Sequence, residues 1–256
     1  MNAGDHAVQE WRADRYAEHA PFVPLLGMPA LELLNPQPGE RILDVGCGDG
    51  SLSQKLCDAG AIVVGVDGSP DMVATARQRG IDARLADAYD LTFEAEFDAA
   101  ISNAALHWMK RDPDSVLQGV RRSLKPGGRF AVEFGGHGNV AAITVALVAV
   151  LIRHGVQDAA SLNPWYFPTK DEYQAKLENA GFRVDSIDLI PRPTILPTNM
   201  RGWLETFAGP FFQVLPQRDR VSAVDEVTTL LRPVLCDTQG QWTADYVRLR
   251  FLARVR

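Results

Sequence analysis

Three glycines at alternating positions, Gly46, Gly48 and Gly50, follow a short apolar segment that ends at Val45. Glycine tolerates a positive φ and has no Cβ, so a turn of this kind lets a ligand come close to the backbone. The residues after the turn read as a helix, whose first N–H groups would face the same ligand. A strand, a glycine turn and a helix start in this order predict a site for a nucleotide-type cofactor.

Two carboxylates accompany the turn and narrow the choice of cofactor. Asp44 stands near the end of the first predicted strand, and Asp67 stands at the end of the next one. An acid at the second place is where a ribose diol would be held, so Asp67 alone does not discriminate between cofactors. The G-x-G-x-G spacing departs from the dinucleotide pattern G-x-G-x-x-G, and the carboxylate of Asp44 favours a cationic ligand over a pyrophosphate.

Five motifs, in order along the chain, resemble those of the class I S-adenosylmethionine-dependent methyltransferases. The resemblance spans residues 8–140 and is weaker beyond them. It implies an α/β fold with a doubly wound, Rossmann-like, mostly parallel seven-stranded sheet, an antiparallel edge strand and a helical cap insertion. It also implies S-adenosyl-L-methionine as cofactor and S-adenosyl-L-homocysteine as product. The motifs are 44–50, 65–69 with Met72, 86–88, 97–103 and 124–130.

The same resemblance implies which residues bind the cofactor. Asp67 would accept hydrogen bonds from the ribose hydroxyls, while Asp44 and the glycine turn would hold the methionine end. Asp87 would accept from the adenine amino group, with a turn cap as the alternative reading. The expected cofactor-binding residues are Tyr16, Asp44, Gly46, Cys47, Gly48, Asp67, Gly68, Met72, Asp87, Ala88, Asn103 and Ala104, and no metal ligands are expected.

The segment 103–108 resembles more narrowly the trans-aconitate and malonyl-carrier-protein methyltransferases, which methylate carboxylates. It places His107 where an acceptor would approach, as a hydrogen-bond donor or a general base, with a capping histidine as the alternative. Bidentate arginines would hold the spare carboxylates of a polycarboxylate acceptor, and Arg192, Arg201 and Arg232 are candidates by region. The candidate substrate-binding residues are His107, Trp108, His137 and Trp165, with Asn139 as the alternative to His137. Trp11, like Tyr16, is expected on the N-terminal helix that the resemblance places over the cofactor.

The composition predicts one globular domain, and the resemblance implies a small-molecule acceptor. The chain has 256 residues, 46% of them hydrophobic, and its net charge of −6 argues against a nucleic-acid partner. The longest apolar run, 140–152, is too short to span a bilayer, so no membrane partner is expected. Cys47, Cys57 and Cys236 lack the spacing of a metal site and predict free thiols in a cytoplasmic protein.

The order of the patterns predicts a single methyltransferase domain over 1–256. Its expected parts are an N-terminal helical segment over the cofactor (1–36), a cofactor-binding core (37–140) and a cap insertion (198–235). Strand and helix patterns alternate through the core, as in βαβ units. Strands are predicted at 41–45, 62–66, 83–86, 97–101, 129–134, 182–189 and 245–255, and helices at 51–59, 70–79, 112–124 and 169–180.

The predicted reaction is methyl transfer to a carboxylate or hydroxyl oxygen of a small molecule. Such a reaction is an in-line displacement, promoted mainly by alignment of the reactants and exclusion of water. Three alternatives stay open at this point: a cyclopropane-forming enzyme, a carbon- or nitrogen-methylating enzyme, and a non-catalytic protein that binds the cofactor. A dinucleotide oxidoreductase is disfavoured by the position of the third glycine of the turn.

Overall fold

A seven-stranded sheet forms the centre of the molecule. The computed structural model describes Gln9, Trp11, Glu18 and residues 26–256. The strands of the sheet are β1 Arg41–Val45, β2 Ile62–Asp67, β3 Asp82–Leu85, β4 Phe97–Asn103, β5 Leu124–Gly135, β6 Phe182–Pro191 and β9 Val247–Val255. In the sheet they lie in the order β3-β2-β1-β4-β5-β9-β6.

All neighbouring pairs from β3 to β5 are parallel, whereas β9 runs antiparallel to both β5 and β6. The expectation of a mostly parallel, seven-stranded α/β sheet is therefore confirmed. The antiparallel strand is not the edge strand, because β9 lies one place inward and β6 is outermost. The burial patterns agree with this order: outward-facing positions of β6 such as Arg183 are exposed, while apolar residues of β9 such as Leu249 and Phe251 are fully buried.

Helices connect the strands on both faces of the sheet. Two short strands, β7 Thr194–Ile195 and β8 Thr243–Ala244, pair with each other outside it. The predicted helices of the core are present, with ends that agree to within one residue. In the described part of the chain the α-helices are α1 Met28–Leu34, α2 Ser51–Asp58, α3 Pro70–Gln78, α4 Pro113–Ser123, α5 Ala141–Arg153, α6 Lys170–Asn179, α7 Met200–Phe207, α8 Gly209–Gln213 and α9 Gln217–Leu235.

Local sequence explains where several of these helices begin. Ser69 is the N-cap of α3 and accepts a hydrogen bond from Met72 N at 3.3 Å, with Pro70 in the first turn. Thr169 caps α6 in the same way, through Glu172 N at 3.2 Å. The cap at Ser69 fixes α3 directly after the carboxyl end of β2, and ligands bind at such strand ends in open parallel sheets.

The sheet is covered by apolar clusters on both faces. On one face, Ala30 and Leu34 of α1 pack with residues of α2 and with β1, β4 and β5. On the other face, Phe130, Tyr173 and Phe251 belong to a cluster that extends from β1 to β9.

A third cluster joins α5 to the segment between β6 and β9. Leu147 of α5, Trp203 and Phe207 of α7, and Val227 of α9 are buried in it, together with Trp165. The helices of this segment lie in the interval for which the sequence predicts a cap, and the role of that interval stays a prediction. None of the helices in the described ranges combines the length and apolar character needed to cross a membrane.

The predicted N-terminal segment is described only in part. Within 1–36, the helix α1 packs against the sheet as a structural layer, so the expectation of a cover over the cofactor does not extend to it. Gln9 and Trp11, in contrast, contact the cleft at the carboxyl ends of the strands. Tyr16 lies outside the described residues.

Candidate active site

The glycine turn after β1 has the geometry that its sequence predicts. Gly46, Gly48 and Gly50 have φ values of 75°, 54° and 79°, which L residues rarely adopt. Gly46 N and Cys47 N both donate to Val66 O, at 2.8 and 3.1 Å, and tie the turn to β2. A Cβ at Gly46 would lie 2.3 Å from the Cβ of Ala105, so only glycine fits there.

Asp67 is fixed at the edge of this turn by two backbone donors. Its Oδ2 accepts from Gly48 N at 2.9 Å, and its Oδ1 accepts from Ser69 N at 2.8 Å. Burial raises the pKa of this carboxyl, and the two backbone hydrogen bonds oppose that rise. The side chain is therefore a pre-oriented acceptor that closes one side of a cleft.

The cleft has a volume of about 720 Å³ and lies beyond the carboxyl ends of the parallel strands. Its size falls in the range of ordinary ligand and cofactor sites. Most of the predicted cofactor-binding residues meet there. Its walls include Gly46, Gly48, Asp67, Gly68, Met72, Ala88, Asn103 and Ala104, and also Gln9, Trp11, Ser69, Ala86, Tyr89, Trp108 and Met109.

Asp44 is not part of the wall of the cleft. Its side chain is 1% exposed and accepts a hydrogen bond of 2.6 Å from Ser53 Oγ, below the glycine turn. Burial raises the pKa of the Asp44 carboxyl to about 7, with a smaller contribution from the negative charge of Asp67. The structure therefore places this acid beneath the turn, and the prediction that it contacts the methionine end gains no support from the cleft geometry.

Two other predicted residues also lie away from the walls of the cleft. Cys47 is buried, with its Sγ packed close to the backbone of Gly65. Asp87 caps the short 3₁₀ helix that follows it, by accepting from Tyr89 N at 3.0 Å, and forms an exposed ion pair with Arg111. The capping role that was the alternative reading for Asp87 is the one that the structure shows.

A second, smaller cavity of about 70 Å³ adjoins the cleft. The two share Trp11, Asn103, Ala104 and Trp108, so these residues form the boundary between them. Ala104 has a φ of 57°, unusual for a residue with a Cβ, and its N–H donates to Glu133 O at 2.7 Å. Of the residues predicted to bind substrate, His107, Trp108 and Trp165 line this cavity, and so do Arg192 and Asn139.

His107 is buried, with 7% of its surface exposed. Burial holds the pKa of its imidazole well below the ordinary value of 6.5, and the positive charge of Arg248 acts in the same direction. Gly135 N donates to Nδ1 of His107 through a long hydrogen bond of 3.4 Å. Because Nδ1 accepts, the neutral ring carries its proton on Nε2 and can act as a donor.

Aromatic side chains form much of the remaining wall of the cavity, and Arg248, an arginine that was not predicted from the sequence, completes it. Trp165 and Phe167 are stacked at 5.7 Å, and the ring of Trp108 packs edge-on against Trp165 at 5.8 Å. Arg248 is 5% exposed although it lies on a strand between apolar residues. An arginine in such a strand is the signal that could have identified it. The remaining lining residues are Leu26, Val140, Trp203, Phe207 and Tyr246.

Three residues predicted as possible substrate contacts lie away from both cavities. His137 is exposed, and its backbone N–H donates to Pro168 O at 2.8 Å. Arg201 is paired with Asp225 on the surface of α7. Arg232 lies over the ring of Trp242 at 5.3 Å. None of these three side chains lines either cavity.

Similarity to known proteins identifies the family. Residues 43–132 match the methyltransferase domain family. The fold is shared with phosphoethanolamine N-methyltransferase 2 of Haemonchus contortus, solved with phosphomonomethylethanolamine and S-adenosylhomocysteine: the TM-score is 0.60 at 20% identity, over 95% of this chain and 56% of that one. An uncharacterized methyltransferase of Schizosaccharomyces pombe is 38% identical over 254 residues, which cover 95% of this chain and 97% of that protein.

The chain belongs to the class I S-adenosylmethionine-dependent methyltransferases. A second relative of this methyltransferase is the trans-aconitate 2-methyltransferase of Mycobacterium tuberculosis, 36% identical over 134 residues. That match covers 50% of this chain and 49% of that protein. The resemblance to class I methyltransferases that the motifs indicated is therefore confirmed, and so is S-adenosylmethionine as the cofactor.

The glycine turn of the methyltransferase gives a matched pair of stability variants. Gly46→Ala and Gly48→Ala each place an L residue at positive φ, which costs about 1–2 kcal/mol. A Cβ at Gly48 would have no heavy atom within 4 Å, whereas one at Gly46 would collide with Ala105. We expect urea unfolding to show an additional loss of about 1–3 kcal/mol for Gly46→Ala alone. Equal losses for the two variants would contradict this packing.

Proposed function

We propose that this methyltransferase transfers the methyl group to a carboxylate oxygen of a small acceptor. The observation that carries the proposal is the small cavity beside the cleft, where Arg192 and Arg248 are set in an aromatic wall. Guanidinium groups bind carboxylates through paired hydrogen bonds, and a largely buried site strengthens them. An acidic acceptor is therefore the ligand class that this cavity suits best.

The large cleft would hold the cofactor through the residues that line it. Asp67 offers a fixed carboxylate to the ribose hydroxyls, and Gly48 leaves open space above the backbone. Met72 and Ala88 would pack against the adenine, with Gly68 beside them. When bound, S-adenosylmethionine supplies a methyl group attached to a sulfonium sulfur. A carboxylate oxygen would accept this methyl group, and S-adenosylhomocysteine, whose sulfur is neutral, would leave, so no proton has to move.

The boundary between the two cavities is where the acceptor oxygen and the methyl group would meet. Asn103 and Ala104 come directly from the end of β4 and are held by its pairing with β5. Trp11 and Trp108 pack edge to face at 4.8 Å on the same boundary. These rings would exclude water, and a rigid boundary would align the two reactants.

The protonation state and tautomer of the His107 imidazole favour a carboxylate acceptor over a hydroxyl or an ammonium acceptor. A neutral imidazole with its proton on Nε2 can donate a hydrogen bond but has no vacant nitrogen to accept a proton. A carboxylate acceptor is already ionised at neutral pH, so it needs no base, and a hydrogen-bond donor can hold it in place. Of the two roles predicted for His107, we therefore propose the hydrogen-bond donor.

Two further observations support a small acid. The relative from Mycobacterium tuberculosis is named for trans-aconitate, a carboxylic acid. The smaller cavity, of about 70 Å³, suits a short acid better than a long acyl chain, which disfavours the cyclopropane-forming alternative. We also propose that α7 covers the acceptor, because Trp203 and Phe207 line the cavity. The three free cysteines fit the predicted cytoplasmic location.

The acceptor class can be tested with S-adenosylmethionine carrying a tritiated methyl group. We expect label to enter one or more small carboxylic acids, with trans-aconitate included in the set, and to be released by mild base as volatile methanol. The matching primary amides, which lack the nucleophilic oxygen anion, are the control and should stay unlabelled. Base-stable label in amines, phenols or carbon acids, with none in carboxylic acids, would contradict the proposal.

The role of His107 can be tested with a matched pair of variants. His107→Ala should lower kcat/KM by about 10–100-fold, because a hydrogen bond to a charged group contributes about 1.5–3 kcal/mol. His107→Gln keeps an N–H donor and should recover much of that loss. With cofactor saturating, kcat of the wild type should show no rise centred at the ordinary histidine pKa of about 6.5, because burial holds the pKa of the His107 imidazole well below it.

The opposite pH profile would identify a base. A rise in kcat centred near the ordinary histidine pKa of about 6.5, lost in His107→Ala, would show that the imidazole titrates during turnover. Equal activity of His107→Ala and the wild type would remove the side chain from the reaction.

A further inference from the structure

A buried carboxylate lies behind the arginines of the small cavity. Glu133, on β5, is fully buried, and its two oxygens bind different guanidinium groups. Oε2 accepts from Nε and Nη2 of Arg250, at 2.8 and 2.6 Å. Oε1 forms a short ion pair with Nη1 of Arg192, and Nε of Arg248 lies 3.7 Å from the same oxygen.

The three arginines differ in what else they touch. Arg192 and Arg248 line the small cavity, whereas Arg250 does not. Nη1 of Arg192 also donates to Leu26 O at 3.1 Å, and its Nε is a buried donor that has no acceptor among the described residues. Leaving a buried donor without an acceptor is costly. The guanidinium of Arg192 is therefore held in this place by its other contacts, although its hydrogen bonding is incomplete.

Glu133 is also connected to the boundary between the two cavities. In the sheet it pairs with Asn103, and its carbonyl oxygen accepts from Ala104 N at 2.7 Å. The same residue thus fixes the point where cleft and cavity meet and, through its side chain, the guanidinium of Arg192. A change in the position of one would be transmitted to the other through a single, fully buried residue.

We infer that Arg192 anchors a carboxylate of the acceptor and that Glu133 is the positioning residue that holds Arg192 at a fixed distance from the cavity boundary. This inference rests on the proposed function. It adds a division of roles: Arg192 contacts the acceptor, Glu133 acts only through Arg192, and Arg250 serves as a structural partner of Glu133. A carboxylate held by Arg192 would then lie at a set distance from the oxygen that receives the methyl group.

The pair Arg192→Lys and Arg250→Lys separates these roles. Both variants keep a positive charge beside Glu133, but only the first changes a side chain that lines the cavity. Binding can be followed without turnover by tryptophan fluorescence, because Trp11, Trp108, Trp165 and Trp203 line the cavity. The titrants are acetate, succinate, fumarate and trans-aconitate, with S-adenosylhomocysteine present.

We expect the wild type to bind at least one of these acids saturably. Arg192→Lys should raise its Kd by about tenfold or more, because lysine cannot reproduce the bidentate geometry of arginine. Arg250→Lys should change the Kd by no more than about twofold, a small effect on the scale where tenfold corresponds to 1.4 kcal/mol. Affinity for S-adenosylhomocysteine should be unchanged in both variants. In turnover assays, Arg192→Lys should have a raised KM with kcat retained, and Arg250→Lys should have a KM close to that of the wild type.

Glu133→Gln distinguishes positioning from charge compensation. If Glu133 only neutralised the arginines, its removal would make the cavity more positive and tighten carboxylate binding. Because we assign it a positioning role, we expect weaker binding, by about as much as in Arg192→Lys. Should Glu133→Gln fail to fold, Glu133→Asp, which keeps the charge and withdraws it by one methylene, should weaken binding in the same direction.

Equal effects of Arg192→Lys and Arg250→Lys, or tighter carboxylate binding by a folded Glu133 variant, would overturn the inference and leave the proposed function intact. If the wild type binds none of the acids and methylates none, the proposed function fails and the inference fails with it. Wild-type methylation of an acid combined with an unchanged KM in Arg192→Lys would assign the anchor to another residue.

Discussion

One backbone hydrogen bond, from Ala104 N to Glu133 O at 2.7 Å, holds the point on which both cavities depend. The strand β4 ends at Asn103, and the chain then turns through a left-handed residue. The parallel pairing of Asn103 with Glu133 fixes where that turn begins. Because the cofactor cleft and the smaller cavity share this turn, any movement of it would alter the distance between the methyl donor and its acceptor.

The cavities on the two sides of this boundary are lined by different kinds of groups. On the cofactor side, glycines at positive φ bring backbone close to the ligand, and Asp67 is oriented by two N–H groups. In the smaller cavity, the guanidinium groups of Arg192 and Arg248 lie among aromatic side chains, and the buried Glu133 binds them from behind. A buried carboxylate with this many arginines is tolerated only because each of its oxygens is paired, and removing one partner from such a cluster is strongly destabilising. Specificity for an acid would thus be built into the core of the sheet and not into a surface loop.

Much of the fold and half of the site could be predicted from the sequence, because those features are local. The glycine turn, Asp67 and the order of strands and helices each depend on short segments, and the structure contains them. The smaller cavity depends on the register between distant segments: Glu133 meets Arg250 across an antiparallel pair, more than a hundred positions away. The roles expected for Asp44 and Asp87 came from motif resemblance and stay predictions, because the structure shows Asp44 buried under the turn and Asp87 as a local cap. An acid and two arginines within apolar strands were the available signal for the buried cluster, although a single sequence does not give their pairing.

The central claim is that the cofactor and an anionic acceptor occupy neighbouring cavities separated by Asn103 and Ala104. Crystals of the protein with S-adenosylhomocysteine, soaked in bromide and measured at the bromine absorption edge, would test it directly. The account predicts that the sulfur atom of S-adenosylhomocysteine faces the Asn103–Ala104 boundary and that an anomalous bromide peak lies inside the small cavity against Arg192. A sulfur atom directed away from that boundary, or bromide found only on the exterior, would contradict it.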